Sequence, residues 1–151
     1  MSPEGQLPAQ AIIDAVGDVR SREVLISNAQ LLALFATPIS LVPAPGAGYA
    51  LILEDAQVYH AAGTGATQDR VLKITYTDGS GTDLGAVTTG FLNQATAQHR
   101  LIKSYRATST PSDINPTANA ALVISAVTGE VTVADFTLKV RIRYRVVATA
   151  W

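Results

Sequence analysis

The fold of this chain is decided by its most regular stretch, Leu138-Lys139-Val140-Arg141-Ile142-Arg143-Tyr144-Arg145-Val146. Apolar and basic residues alternate in it without exception. Side chains of a β-strand point alternately to its two faces, whereas a helix would scatter these charges around its circumference. The stretch therefore predicts a strand with one buried face and one face that carries four cations, Lys139, Arg141, Arg143 and Arg145.

Shorter segments with the character of strands precede this stretch, and turn residues separate them. Ser27 has the side chain of a helix N-cap, and it predicts one short helix over Ala29–Phe35 that ends before Pro38. About eight short strands with at most one or two helical pieces predict an all-β sandwich or barrel. The predicted strands are Glu23–Ile26, Ile39–Val42, Tyr49–His60, Val71–Tyr76, Leu84–Thr89, Arg100–Thr108, Ala120–Val127 with Glu130–Val133 as a hairpin around Thr128-Gly129, and the final stretch.

The first residues of the chain differ from the rest. Residues 1–20 have no sustained period and contain two prolines and two glycines, so we expect an arm that is ordered by contact with something else. Its apolar residues, Leu7, Ile12 and Ile13, are candidates for that contact. Residues 21–151 show one composition throughout, which predicts a single β-sandwich domain after the arm.

The composition is poor in charge and rich in small residues. Only 15% of the residues are charged, whereas the chain has 24 Ala, 16 Thr and 11 Gly. An apolar fraction of 48% excludes disorder over most of the chain, and a net charge of −1 argues against nucleic acid as a partner of the whole molecule. A charge-poor surface favours association, so we expect an oligomer or a protein packed on a larger assembly. With no Cys, no secretory signal and no long apolar run, we expect neither disulfides nor a membrane partner.

The cation row of Lys139, Arg141, Arg143 and Arg145 is the strongest candidate binding site. Like charges spaced about 6.8 Å apart could bind an acidic protein surface or phosphates. The favoured interpretation is a solvated strand face that pairs with Glu130, with Asp135, or with carboxylates of a neighbouring strand or subunit. A protein partner is the second interpretation, and nucleic acid is the third.

Two further groups of residues are weaker candidates for a metal site. The loop Asp78–Asp83 offers two carboxylates and two hydroxyls to Ca²⁺, although turn formation alone explains its Asp-Gly and Ser-Gly pairs. His60 and His99 could meet on a metal, but nothing in the sequence places them together. We find no nucleotide-binding glycine motif and no nucleophile with a base, so we predict no cofactor, no catalytic residue and no enzyme.

Two blocks of the sequence resemble small virion proteins of tailed bacteriophages. One is Ala29–Gly48, and the other is Asn119–Val127 followed by Thr137–Val147. Together they cover roughly a quarter of the chain, and the family that they resemble most is that of the head decoration (cement) proteins.

The resemblance implies a jelly-roll or related β-sandwich that forms trimers at local three-fold positions of a capsid. The implied partner is the major capsid protein, the implied location is the capsid surface of a virion assembled in the host cytoplasm, and the implied role is to hold capsid subunits against internal DNA pressure. The arm would then reach a neighbouring copy or the shell. An adhesive module of a tail or head fibre that binds a host glycan is the alternative, which an aromatic content of 6% disfavours.

Overall fold

The computed structural model describes residues 17–81, 83–104 and 115–150. Leu7, Ile12 and Ile13 of the predicted arm lie outside the described residues, and the first strand begins at Arg20. The strands and the helix are β1 (Arg20–Ile26), α1 (Asn28–Leu32), β2 (Ile39–Val42), β3 (Tyr49–His60), β4 (Leu72–Tyr76), β5 (Asp83–Val87), β6 (Gln98–Lys103), β7 (Leu122–Ala126) and β8 (Leu138–Ala148).

The strands form two four-stranded antiparallel sheets with the orders β1-β8-β3-β6 and β2-β7-β4-β5. Each strand of the first half of the chain pairs with its counterpart from the second half: β1 with β8, β2 with β7, β3 with β6, and β4 with β5. The chain is thus one long hairpin, closed at the β4–β5 turn and rolled into two layers. This is the jelly-roll arrangement, so the predicted all-β sandwich of about eight strands with one short helix is confirmed.

The core lies between the inner faces of the two sheets. Val140 and Ile142 of β8 and Ile74 of β4 are fully buried there. Tyr76 of β4 spans the layers, since its hydroxyl donates a hydrogen bond to the carbonyl of Leu51 in β3. Burial raises the pKa of this phenol to about 12, so the hydroxyl remains protonated and a donor at neutral pH.

The two sheets approach each other closely along one side, where β5 lies against β6. Gly85 of β5 makes this possible, because a Cβ atom there would come within 2.5 Å of Ile102 Cγ2 in β6. The φ angle of Gly85 is not in the left-handed region, so its backbone conformation does not require a glycine. The close approach of the two layers does.

The helix has the predicted cap, but it begins one residue before the predicted Ala29 and ends earlier than Phe35. Ser27 caps it, its hydroxyl accepts a hydrogen bond from the Gln30 N–H at 3.2 Å, and the Gln30 side chain bonds back to the Ser27 N–H at 2.9 Å. The helix ends at Leu32 rather than Phe35, because the Glu130 carboxylate accepts from the backbone N–H groups of Phe35 and Ala36.

The predicted hairpin of Ala120–Val127 with Glu130–Val133 is wrong in its second half. After β7 the N–H of Val127 bonds to the carbonyl of Val71, and residues 130–133 form no strand. Thr128 and Val133 have φ angles of 69° and 63°, which turn the chain away from β7. The segment instead makes an isolated bridge between Thr132 and Gln68.

Candidate functional site

The four cations of β8 all lie on the outer face of the sheet β1-β8-β3-β6, which we call the charged sheet. Lys139, Arg141 and Arg143 are exposed, and the residues between them, Val140 and Ile142, are buried. The alternation read from the sequence is therefore present in the structure. Because β8 is an inner strand of this sheet, its cations have neighbours on both sides, from β1 and from β3.

Each cation of the row forms an ion pair with a carboxylate of an adjacent strand. The Glu23 carboxylate of β1 pairs with both Arg141 and Lys139: its Oε2 lies 3.1 Å from Arg141 Nη2, and its Oε1 lies 3.7 Å from Lys139 Nζ. On the other side, the Nε atom of Arg145 lies 2.5 Å from Glu54 Oε1 of β3. The Arg143 guanidinium binds Asp55 through two nitrogens, with Nε at 2.9 Å from Oδ1.

A bulge in β3 makes this pairing possible. The register of β3 against β8 shifts between Leu53 and Asp55. Two residues of a bulged strand face one residue of its partner, so consecutive side chains need not alternate between faces. Neither Glu54 nor Asp55 is buried, whereas Leu53 and Ala56 on either side are in the core. The bulge thus supplies two adjacent carboxylates to two arginines.

The electrostatic consequence is clearest at Asp55. A hydrogen bond from Arg143, with the charge of that guanidinium, holds the pKa of the Asp55 carboxyl below its ordinary value. Of the sequence alternatives, pairing with carboxylates of a neighbouring strand is the one found. Glu130 instead accepts from the backbone of residues 35 and 36, and Asp135 bridges to Thr64. The row is an ionic ladder within the sheet, which leaves little unpaired charge for an anionic ligand.

Near the start of β8, the outer face of the charged sheet carries apolar side chains. Leu25 of β1 lies in register with Lys139, which in turn lies opposite Tyr59. Leu25 is 67% exposed, and the rings of Tyr59 and His99 are stacked with their centroids 4.5 Å apart. These side chains line a surface groove of about 400 Å³. We call it the apolar groove, and it is lined by Leu25, Tyr59, His60, Ala61, Ala97, Gln98, His99, Thr137, Leu138 and Lys139.

The apolar groove was not predicted from the sequence, although the sequence contains one signal for it. In Val24-Leu25-Ile26, three apolar residues follow one another in a strand whose faces must alternate. Ile26 is in the core and Val24 packs against it, so Leu25 has to point outward. Leu101 of β6, which is 54% exposed, adds a second apolar residue to this face.

The two histidines do not form a metal site. His99 is stacked on Tyr59 at the surface, whereas His60, the next residue along β3, points to the core. The His60 ring stacks on Phe136 with centroids 3.5 Å apart, and among the described residues neither ring nitrogen has a hydrogen-bond partner. Nowhere in residues 17–81, 83–104 and 115–150 do three or more His, Asp or Glu side chains gather as metal ligands would.

The carboxylates at the two ends of the loop Asp78–Asp83 have separate partners. Asp78 accepts hydrogen bonds from the N–H and hydroxyl of Ser80 at 2.8 and 2.6 Å, and the Ser80 hydroxyl is the main cause that lowers the pKa of this carboxyl. Asp83 pairs with Lys73 of β4 at 3.2 Å. The described part of the loop is a turn closed by its own side chain, and the calcium interpretation gains no support.

The chain shares its fold with a solved bacteriophage structure. It is similar to a chain in the capsid of Ralstonia phage GP4, with a TM-score of 0.53 and 15% identity over 91% of this chain and 89% of that chain. A chain of the cyanophage Pam1 capsid asymmetric unit matches less well, with a TM-score of 0.49 and 9% identity over 85% and 83% of the two chains.

No family model matches the sequence, and no curated protein does. At 15% identity the likeness to the GP4 chain shows a common fold. In the described part of the chain, no helix has the length and apolar character needed to cross a membrane.

Proposed function

We propose that this chain is a structural virion protein that decorates a bacteriophage capsid and stabilises the shell as a symmetric oligomer, a trimer. The observation that carries the proposal is the eight-stranded jelly roll, which a chain of the GP4 capsid shares over nearly its whole length. The sequence resemblance to head decoration proteins supports it independently, since it rests on the block Ala29–Gly48 and on Asn119–Val127 followed by Thr137–Val147.

The surface of the charged sheet is consistent with a protein that works in an assembly. The four cations of β8 are neutralised within the sheet, so a partner need not supply charges to cover them. Leu25 and Leu101 expose apolar area on the same face. A symmetric assembly repeats each contact, so modest contacts of this kind add up to stable attachment.

The contacts of the proposed assembly are assigned to the arm and to this sheet. Leu7, Ile12 and Ile13 are the apolar residues by which the arm would hold a neighbour, in the oligomer or in the major capsid protein. Lys139, Arg141, Arg143 and Arg145 would act mainly by fixing the shape of the outer face. The proposal gives the protein no catalytic residue, no cofactor and no nucleic-acid partner.

Antibody labelling of intact virions from the source lysate, viewed by negative-stain electron microscopy, tests the location. We expect label spread over the head. Label confined to the tail tip or fibres would contradict the proposal and favour the adhesive module instead, which binding to a glycan array would then confirm. Absence of label from all particles would contradict both.

A further inference from the structure

The described chain begins at the end of the charged sheet that is opposite the apolar groove. The described chain begins at Gly17, whose N–H donates to the Val146 carbonyl at 2.7 Å and whose carbonyl accepts from Arg145 Nη1 at 2.7 Å. The groove lies at the start of β8, where Leu138 and Lys139 line it. Val146 and Leu138 are eight residues apart on one strand, which corresponds to roughly 27 Å.

This separation decides whether the arm can reach the groove of its own chain. An extended chain spans at most about 3.5 Å per residue, so Ile13 and Ile12 lie within about 14 and 18 Å of Gly17. The two isoleucines therefore cannot reach the groove of their own molecule. A second copy, placed with its Gly17 end next to the groove, can supply both of them together with Leu7.

The segment and the groove match in chemistry. Residues 7–13, Leu-Pro-Ala-Gln-Ala-Ile-Ile, contain no charge, and three of them are large and apolar. The groove presents Leu25, which is 67% exposed, beside the aromatic stack of Tyr59 and His99. An uncharged segment suits this groove, because Lys139, the cation that lines it, already pairs with Glu23 at 3.7 Å.

We propose that the apolar groove binds the segment Leu7–Ile13 of a second copy of this chain. The contact is head to tail, because different surfaces of the two copies meet, and such contacts form a ring when the rotation between successive copies closes. A ring of three would use three arms and three grooves, with none left over. The inference rests on the oligomer of the proposed function and identifies the contact that holds it together.

A complementation experiment with two full-length variants tests this contact. The groove variant is Leu25→Asp, and the arm variant combines Leu7→Asp, Ile12→Asp and Ile13→Asp. Phe35→Asp is the matched control, since Phe35 is another exposed large apolar residue that lies outside the groove. Native mass spectrometry at micromolar concentration measures the oligomeric state of each variant and of the mixture, and thermal unfolding shows that each variant is folded.

We expect the wild type and the control to be oligomers and each variant alone to be a monomer. When the two variants are mixed, the intact arm of one fits the intact groove of the other, so they form a one-to-one dimer that cannot grow. Folded variants that remain monomers in the mixture would overturn the proposal, as would a monomeric wild type or a Leu25→Asp chain that still forms the oligomer. If Leu25→Asp does not fold, Leu25→Asn replaces it.

The outcome is separate from that of the virion experiment. If the mixed variants form no dimer but the antibody labels the whole head, the contact between arm and groove is contradicted and the capsid location stands. If the mixed variants form a dimer but the antibody labels no particle, the contact between arm and groove is established and the capsid location is contradicted.

Discussion

The two sheets of the jelly roll cover their outer faces by different means. On the charged sheet, long side chains stand in solvent and pair with one another across strands. The sheet β2-β7-β4-β5, which we call the apolar sheet, has one such pair among its described residues, between Lys73 and Asp83, and all five residues of its inner strand β7 are buried. The turn after β4 folds back over them, so that the Thr75 hydroxyl bonds to the Asp78 carbonyl and Gly79 lies against Ser125.

This difference indicates which face is available to partners. The part of the apolar sheet under the turn is already occupied by its own chain, since Thr75 and Ser125 are buried. The charged sheet leaves Leu25 and Leu101 uncovered beside an ionic ladder that needs no outside charge. We therefore expect contacts between copies on the charged sheet, and the following experiments test the two faces separately.

The largest effect is expected inside the charged sheet. Ile142 of β8 is fully buried, so Ile142→Ala should lower the free energy of unfolding by about 3 kcal/mol, through lost burial and a cavity. Urea unfolding followed by circular dichroism measures it. Arg141→Ala, at the next residue on the outer face, is the control and should lower it by a small fraction of that. Equal losses for both would contradict the two-faced strand.

A smaller loss of unfolding free energy is expected from a substitution where β5 lies against β6. Gly85→Ala places a methyl group at 2.5 Å from Ile102 Cγ2, and the overpacking should cost about 2 kcal/mol of unfolding free energy. Ala86→Ser, whose side chain is half-buried on the other face of β5, serves as the control. A Gly85→Ala protein as stable as the wild type would show that the layers can separate there without penalty.

One substitution on the apolar sheet should stabilise the protein. The Ser125 hydroxyl is buried and has no hydrogen-bond partner among the described residues. Ser125→Ala removes the unsatisfied group and retains its Cβ, so unfolding should become harder by about 1 kcal/mol. Ser21→Ala on the charged sheet, where Ser21 is exposed, should change nothing. A loss of stability in Ser125→Ala would mean that the hydroxyl has a partner after all.

The smallest changes in unfolding free energy are expected from two carboxylates, one at each sheet, and they should appear in the dependence of stability on pH and salt. Asp55 on the charged sheet and Asp78 on the turn over the apolar sheet both have pKa values below the ordinary 3.8, the first through Arg143 and the second through Ser80. A lowered pKa in the folded state gives stability that is complete above about pH 4 and disappears as the pH falls through the folded pKa. Asp55→Asn and Asp78→Asn should therefore each flatten the loss of stability below that pH.

Salt should distinguish the two carboxylates. Screening weakens the attraction between ions such as Asp55 and Arg143, whereas the pKa of Asp78 is lowered mainly by the uncharged Ser80 and least by the charge of Lys73. In thermal unfolding at about 1 M NaCl, where the screening length is about 3 Å, the effect of Asp55→Asn should shrink and that of Asp78→Asn should persist. The same salt response for both would contradict the assignment of causes.

The sequence was most informative where a structure depends on local pattern. Tyr49–His60 forms β3 with the predicted bounds, the alternation of Leu138–Val146 gave the faces of β8, and Ser27 caps the helix through residues within one turn. Partners across strands depend on register, which a single segment does not contain. The acids Glu54 and Asp55 were therefore missed as partners of the cations, because a bulge sets their orientation.

Turn residues misled the prediction once. Thr128-Gly129 has the composition of a hairpin turn, but Val133 has a left-handed conformation and Glu130 accepts hydrogen bonds from Phe35 and Ala36, so the chain leaves β7. Both causes lie in tertiary contacts. The apolar groove was missed for a related reason, since it is assembled from β1, β3, β6 and β8, which lie far apart in sequence.

The most direct test of the central claim is the addition of purified protein to phage heads that lack it. Cosedimentation measures binding, and the temperature at which the heads release their DNA measures stabilisation. We predict saturable binding, with a number of copies per head that is a multiple of three, and release at a higher temperature. Heads that bind no protein, or that bind it and release their DNA at an unchanged temperature, would contradict the account.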